Sequence, residues 1–206
     1  GGTAVIARLI AESAASRGLR QCCALQYRNR LGVVFWVVFE RGGRFPVLIG
    51  KLCRPEATVE HARSEASALE AINAAAAELG IPKLVMRAET AEGFLLVQSG
   101  LPGMPWPDPA PPGRQAQMLS RAGGWLERFQ SRVPVHESAA EALVGVMALC
   151  QRRMRSRTAE ESQLLAEAQG MLAGLARNPA VAVHGDFWSG NVLEHEGSLN
   201  VIDWGT

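Results

Sequence analysis

Three oxygen-bearing side chains near the end of the chain have the types and spacing of a site for a hard divalent cation. Asp186 follows a His-Gly pair, Asn191 stands five residues later, and Asp203 ends an apolar run. Between the last two lies Glu196-Gly197-Ser198, which has the length and glycine content of a hairpin loop. A hairpin centred on Gly197 pairs residues whose numbers sum to about 394, which predicts that Asn191 and Asp203 lie side by side. Because Mg²⁺ takes oxygen ligands, and few of them from protein, the segment predicts a magnesium site.

These residues belong to a longer pattern, which consists of His184-Gly185-Asp186, four further residues, Asn191-Val192-Leu193 and then Val201-Ile202-Asp203-Trp204. The pattern resembles the catalytic and metal-binding segments of the aminoglycoside phosphotransferase and choline kinase-like small-molecule kinases, which share the protein-kinase-like fold. The resemblance implies that Asp186 is the catalytic base at an acceptor hydroxyl and that Asn191 and Asp203 hold Mg²⁺. The alternative is a glycine-rich turn whose polar side chains only cap loops.

A lysine within an apolar segment is the second chemical signal. Of the 21 basic residues only Lys51 and Lys83 are lysine. Strand alternation places Lys51 on one face with Ile49 and other apolar neighbours, so its ammonium group needs an anionic partner. Glu65 lies on the apolar stripe of a predicted helix over 56–79 and can be that partner. The pair resembles the strand lysine and helix glutamate of the kinase-like fold, in which the lysine holds the nucleotide phosphates; a snorkelling lysine and a rim glutamate are the alternative.

The hydrophobic patterning predicts an α+β protein. A helix over 3–18 is followed by strands, one helix and further strands, which we place at 22–27, 32–40, 45–52, 56–79 (helix), 81–87 and 93–98. Six prolines in residues 101–112 exclude a helix there and predict a semi-rigid connector. Beyond it we predict helices over 115–132, 139–155 and 158–176 and a short strand over 180–183.

The resemblance then gives the fold and the domains. It implies a two-lobed protein-kinase-like fold with an antiparallel sheet and one key helix in a nucleotide-binding N-lobe (1–100), a connector (101–113) and a mainly helical C-lobe (114–206). Since family members continue beyond the counterpart of Thr206, we expect a C-lobe that is truncated at the C-terminus. Leu101-Pro102-Gly103 resembles the linker between lobes, which implies that the backbone from Gln98 to Gly100 faces adenine.

Two features depart from the family pattern. Residues 28–32 stand where a kinase has its glycine-rich phosphate loop, but they contain a single glycine. There Arg28 and Arg30 could add charge, or the segment is a solvated basic turn. The helix over 115–132 ends in Phe129-Gln130, where the family usually has Leu-His.

Composition limits the class of partner. The net charge of +1 over 206 residues gives no bulk attraction to nucleic acid or anionic membranes. The longest apolar run, 33–39, is too short to cross a bilayer, and the N-terminus lacks a signal-peptide pattern. We therefore expect a cytoplasmic enzyme with a small-molecule partner, without nucleic acid or membrane, and the oligomeric state stays open.

Together these features predict an ATP- and Mg²⁺-dependent phosphotransferase that moves the γ-phosphate to a hydroxyl of a small molecule. The loop around Trp188 also resembles that of fructosamine kinases, so a sugar-amine acceptor is one alternative. Another is a non-catalytic nucleotide-binding pseudokinase or scaffold, for which the missing glycine-rich loop argues. A protein kinase is the third.

Overall fold

The computed structural model describes residues 2–54, 56–135, 158, 162–164, 166–167, 170 and 181–204. The chain divides into two compact units, Gly1–Arg132 with His184–Thr206, and Val133–Val183. In the second unit the predicted helix over 139–155 lies outside the described residues. Of the predicted helix over 158–176, residues 162–164, 166–167 and 170 are helical, whereas Thr158, which is also described, is not.

The first unit contains the elements that the sequence predicts, with ends that differ by a few residues. In chain order they are α1 (Gly2–Ser16), β1 (Cys22–Arg28), β2 (Val34–Glu40), β3 (Pro46–Cys53), α2 (Glu56–Ala76), β4 (Leu84–Thr90), β5 (Gly93–Ser99), β6 (Met104–Pro105), α3 (Gln115–Arg132), a single 3₁₀ turn (Ser189–Asn191), β7 (Val192–His195) and β8 (Ser198–Val201). The short strand predicted over 180–183 is wrong, because residues 181–183 have no regular structure. None of the helices in the described part of the chain is long and apolar enough to cross a membrane.

An antiparallel sheet of five strands, in the order β1-β2-β3-β5-β4, forms the body of this unit. Alternation along each strand gives the sheet two apolar faces. On one face Trp36 and Leu48 pack with Ile6 and Ile10 of α1. On the other face Phe94, Leu96 and Cys53 pack with Ala62 and Ala66 of α2. The two helices therefore cover opposite faces, and the face under α2 is the one that also carries Lys51.

Strands β6, β7 and β8 form a second, smaller sheet. Glu196 and Gly197 make the turn between β7 and β8 with φ angles of +46° and +80°, as a two-residue hairpin turn with left-handed backbone requires. Ser198 therefore belongs to the strand and pairs with His195. This corrects the predicted register by one residue, so that the amide of Ile202, and not Asp203, is opposite Asn191 and donates to its carbonyl over 3.0 Å.

Helix α3 packs on the hairpin through one carboxylate. Glu194 of β7 accepts hydrogen bonds from Arg121 of α3, at 2.5 Å, and from the indole of Trp106, at 3.1 Å. The guanidinium of Arg121 holds the pKa of Glu194 below its usual value, although the carboxyl is partly desolvated, and Trp106 adds to the effect. Glu194 thus ties the hairpin to the helix and to the segment after β6.

Gly80 joins the end of α2 to the hairpin. Its carbonyl accepts a hydrogen bond from the amide of Val201 over 2.8 Å. Its φ of +68° is in the left-handed region, and a Cβ atom there would collide with the side chain of Asn200 and approach the Leu199 carbonyl to 2.6 Å. A residue without a side chain is therefore required where the two elements meet.

We expect Gly80→Ala to be more destabilising than the same change at a glycine with similar backbone but free space. The control is Gly42→Ala, where φ is +78° and nothing lies within 4 Å of an added Cβ. The control should lose about 1 kcal/mol of unfolding free energy from backbone strain, and Gly80→Ala at least twice that because β8 must also shift. Urea unfolding measures both values. Equal losses would mean that the hairpin does not approach Gly80 closely.

Candidate functional site

Lys51 of β3 and Glu65 of α2 form a buried ion pair. The Nζ atom lies 2.6 Å and 2.8 Å from the two carboxylate oxygens of Glu65. The two side chains are only 12% and 5% exposed. Strand alternation points Lys51 at α2, and the helical period turns Glu65 toward the sheet, so the predicted pairing of these two residues is present in the structure.

Asp203 is the second carboxylate at this lysine. Its Oδ1 atom lies 3.2 Å from Nζ of Lys51, and its side chain is 55% exposed. Its backbone has a φ of +67°, a conformation that costs energy for a residue other than glycine and is common at functional sites. Asp203, two residues after the end of β8, is thus held in a strained conformation in which one carboxylate oxygen contacts Lys51 and the side chain stays half open to solvent.

Electrostatics keep the cluster charged. Burial disfavours the ammonium form of Lys51, but the carboxylates of Glu65 and Asp203 outweigh it and raise the pKa of Lys51 above its ordinary value. Burial raises the pKa of the Glu65 carboxyl, and the charge of Lys51 opposes that rise. The short N–O distances favour the ionised pair, so Lys51 carries a positive charge at neutral pH.

The loop before β7 brings Asp186 and Asn191 together. The amide nitrogen of Asn191 donates to the backbone carbonyl of Asp186 and to its Oδ2 atom, each over 3.0 Å. Asn191 is 6% exposed, while Asp186 is exposed. The nitrogen is committed to Asp186, which leaves the amide oxygen as the atom that can ligate a cation. The buried amide therefore positions a carboxylate that faces solvent.

His184 connects this loop to the segment that carries Asp203. Its Nδ1 atom accepts from the Asp186 amide over 3.3 Å, and its Nε2 atom lies 3.0 Å from the Ile202 carbonyl. An acceptor on one nitrogen and a donor on the other require the neutral ring, and burial lowers the pKa of His184. The histidine has a positioning role, because it fixes the distance between the two acidic segments.

An aromatic cluster packs against the loop that carries Asp186 and against the segment that carries Asp203. Trp204 lies with its ring centroid 4.3 Å from that of His184 and 5.1 Å from that of Phe129. Trp125 of α3 stacks on Phe129 at 5.4 Å and on Phe187 at 5.7 Å. Since rigid aromatic packing restricts side-chain motion, these contacts hold the backbone at Asp186 and Asp203 in place.

The segment from Gln98 to Gly100 closes the end of β5. The amides of Ser99 and Gly100 donate to the carbonyls of Lys83 and Val47 over 2.8 Å and 2.9 Å. A Cβ atom on Gly100 would collide with the Pro46 carbonyl. Gly100 therefore allows the chain to run close against β3. Its backbone contacts are with Pro46 and Val47.

The loop at 28–32 is closed by hydrogen bonds from its own backbone amides to Asn29. The side-chain oxygen of Asn29 accepts from the amides of Leu31 and Val33, at 3.1 Å and 2.9 Å, and Gly32 donates to the Asn29 carbonyl. These amides are occupied within the loop. It is an asparagine-stabilised turn, which is why the glycine-rich pattern is not needed to form it.

The structure thus groups the predicted site residues into two contacts. Lys51, Glu65 and Asp203 meet in one, and Asp186 and Asn191 meet in the other; His184 links the two. Within the described ranges no group of three or more His, Cys, Asp or Glu side chains has metal-binding geometry. The candidate metal ligands are therefore the two predicted ones, the Asp203 carboxylate and the Asn191 amide oxygen. The sequence reasoning missed Glu194, whose signal was of the same kind as that of Lys51: a charge inside an apolar strand.

The Lys51–Glu65 pair can be tested by unfolding variants. Lys51→Met leaves a buried carboxylate without its cation and should cost about 3 kcal/mol of unfolding free energy. Adding Glu65→Leu should recover most of that loss, because the isolated charge is removed. Chemical denaturation of Lys51→Met, Glu65→Leu, the double variant and wild type gives the coupling free energy between the two residues. Losses that simply add would contradict a buried ion pair.

The fold is similar to that of several solved proteins. Similar solved structures include a Thermobifida fusca protein provisionally assigned as a fructosamine-3-kinase, with TM-score 0.59 and 17% identity over 94% of this chain and 71% of that one. Another is the GDP and kanamycin complex of APH(2″)-IIIa, with TM-score 0.56 and 11% identity over 91% and 67%. A third is a thermostable mutant of aminoglycoside phosphotransferase APH(4)-Ia with ADP and hygromycin B, with TM-score 0.55 and 16% identity over 89% and 66%.

At these identities the solved structures show the fold, which is that of protein-kinase-like phosphotransferases, as predicted. No curated protein sequence matches the chain. The family model described as the phosphotransferase enzyme family matches residues 29–206, which include the Lys51–Glu65 pair and both acidic segments. The chain therefore belongs to the phosphotransferase enzyme family.

Proposed function

We propose that this protein transfers the γ-phosphate of ATP to a hydroxyl group of a small molecule, with Mg²⁺ as the metal. The observation that carries the proposal is the contact of Lys51 with both Glu65 and Asp203, at 2.6 Å and 3.2 Å. A buried pair alone would be structural. The third group, Asp203, is a half-exposed carboxylate on a left-handed backbone, and it leaves one side of the Lys51–Glu65–Asp203 cluster open to solvent.

The donor set fits a hard cation. The exposed carboxylate of Asp203 and the amide oxygen of Asn191 are the oxygen ligands that Mg²⁺ prefers, and Mg²⁺ usually keeps several waters beside them. When bound, Mg²⁺ would neutralise charge on the phosphates. Lys51 would contact the α- and β-phosphates, because Glu65 holds its ammonium group in place at 2.6 Å.

Asp186 is suited to act on the acceptor. Its carboxylate is exposed, its Oδ2 is oriented by Asn191 at 3.0 Å, and its amide is held by His184. An acceptor hydroxyl that donates to Asp186 would be oriented toward the γ-phosphate. The carboxylate would take its proton as the acceptor oxygen bonds to the γ-phosphorus and ADP leaves. Positioning supplies most of the catalysis in this reaction class.

Each part of the chain would then have its own role in the reaction. Residues 1–100 would bind the nucleotide, residues 101–113 would connect, and residues 114–206 would hold the catalytic loop and approach the acceptor. The segment from Gln98 to Gly100 would line the base. A reaction that consumes ATP suits the cytoplasm, and the net charge of +1 offers no attraction to nucleic acid or an anionic membrane.

Phosphate transfer with labelled ATP, to a panel of amino sugars, sugars and amino alcohols, tests the proposal. With an acceptor found, Asp186→Asn should lower kcat by roughly 10² to 10⁴, because it removes the base but keeps the shape. The KM for ATP should change by less than about threefold, since Asp186 faces the acceptor.

Glu92→Gln is the matched control, because Glu92 is a carboxylate of a surface ion pair with Arg54, 3.2 Å away. It should keep wild-type kcat. Transfer to a protein substrate instead of a small molecule would overturn the acceptor class. No transfer to any acceptor by a folded protein would favour a nucleotide-binding scaffold.

A further inference from the structure

Gln98 carries the one unsatisfied polar atom of its kind in the described part of the chain. It is 4% exposed, and its side-chain oxygen Oε1 is buried without a hydrogen-bond partner. A buried acceptor without a donor is costly, and native proteins keep few of them. Such an atom at the end of β5 would gain a hydrogen bond from a donor on a bound molecule.

The sheet register shows what lies beside this atom. Gln98 pairs with Ile49 of β3, Ile49 with Val37 of β2, and Val37 with Leu25 of β1. Residues that pair directly point to the same face, so these four side chains form a row across the sheet. Lys51 stands two residues after Ile49 on β3 and shares that face.

Three members of the row are apolar and only partly covered. Leu25 is 62% exposed, and Val37 and Ile49 are half-buried. The core cluster under α2 contains Phe94 and Leu96 of the same face but none of these three. With strands about 4.8 Å apart, the row from Leu25 to Ile49 gives an apolar strip about 10 Å wide, which a flat aromatic ring system can cover.

The position of Lys51 fixes the orientation of a nucleotide on this strip. Ile49 and Lys51 are about 7 Å apart along β3, since each residue adds about 3.3 Å. A base over Val37 and Ile49 whose phosphates reach Lys51 would place one edge against Gln98. The orphaned oxygen is then the group that meets that edge.

The chemistry of the edge decides which purine fits. The 6-position of adenine carries an amino group that donates hydrogen bonds, whereas guanine and hypoxanthine carry an oxygen that only accepts. A buried Oε1 is satisfied by the first and repelled by the second. Sites built around such a group reject the analogue that lacks the matching partner.

We propose that the side-chain oxygen of Gln98 accepts a hydrogen bond from the 6-amino group of adenine and so selects ATP over nucleotides with a 6-oxo purine. This inference rests on the proposed function, because it presumes a nucleotide with its phosphates at Lys51. It adds a role for the side chain of Gln98 beyond that of the neighbouring backbone. Gln98 is a specificity residue, since it touches the base and not the reacting phosphate.

The test is calorimetric binding of three magnesium nucleotides to the wild-type chain and to Gln98→Met, which keeps the length of the side chain and removes the amide. The nucleotides are ATP, inosine triphosphate with a 6-oxo group, and purine riboside triphosphate with no group at that position. Wild type should bind ATP about five to ten times more tightly than purine riboside triphosphate, and inosine triphosphate more weakly still. In Gln98→Met the ratio of the affinity for ATP to that for purine riboside triphosphate should fall below about twofold.

Gln26→Met is the matched control, because Gln26 pairs with Trp36 and stands on the opposite face of the sheet. It should keep the wild-type ratios. A thermal melt without nucleotide gives a second readout: Gln98→Met should melt at or above the wild-type temperature, since it removes an unsatisfied acceptor. A lower midpoint would show that the amide bonds within the protein and would contradict the proposal.

The outcomes separate the two claims. An ATP preference that is equal in wild type and Gln98→Met overturns the role of Gln98 and leaves the phosphotransferase proposal standing. A wild-type preference for inosine triphosphate that the variant loses shows that the amide donates, and it also overturns the inference. If folded wild type binds none of the three nucleotides, the proposed function fails and the inference fails with it.

Discussion

The need to neutralise one buried ammonium group organises this protein. Lys51 lies in the middle of a sheet, 12% exposed, and a charge in that position is stable only beside anions. One carboxylate comes from α2 and the other from Asp203, the second residue after β8. Because the three groups come from a strand, a helix and a hairpin that are far apart in sequence, the ion contacts fix how those elements meet.

The second carboxylate has to be delivered accurately, and several uncharged contacts do that. Gly80 lets the hairpin approach the end of α2, Glu194 ties it to α3, and His184 bonds the loop at Asp186 to the carbonyl before Asp203. The aromatic rings of Trp125 and Trp204 fill the space beneath. The acidic groups can therefore stay partly open to solvent while the backbone that carries them is rigid, which is what a site for phosphates and a metal requires.

Sequence reasoning could predict the Lys51–Glu65 pair because the strand period, the helix period and the cost of burying a charge all lead to the same partner. It could place the hairpin but not its register: with Gly197 as the only cue, a loop of two residues could not be told from one of three, and the pairing shifts by one. Glu194 was missed because its partners, Arg121 and Trp106, approach only after the hairpin and α3 have packed. The unpaired oxygen of Gln98 is a property of the packed structure, and no spacing in the sequence reveals it.

Calorimetric titration of ATP into the folded protein, with and without Mg²⁺, tests the central claim most directly. The claim is that Lys51, Asp203 and Asn191 form one site for a metal and the phosphates of a nucleotide. It predicts saturable binding that is strengthened at least tenfold by Mg²⁺, with that gain lost in Asp203→Asn, whose side chain keeps its shape but not its charge. Binding of equal strength with and without the metal, or an unchanged gain in the variant, would contradict the claim.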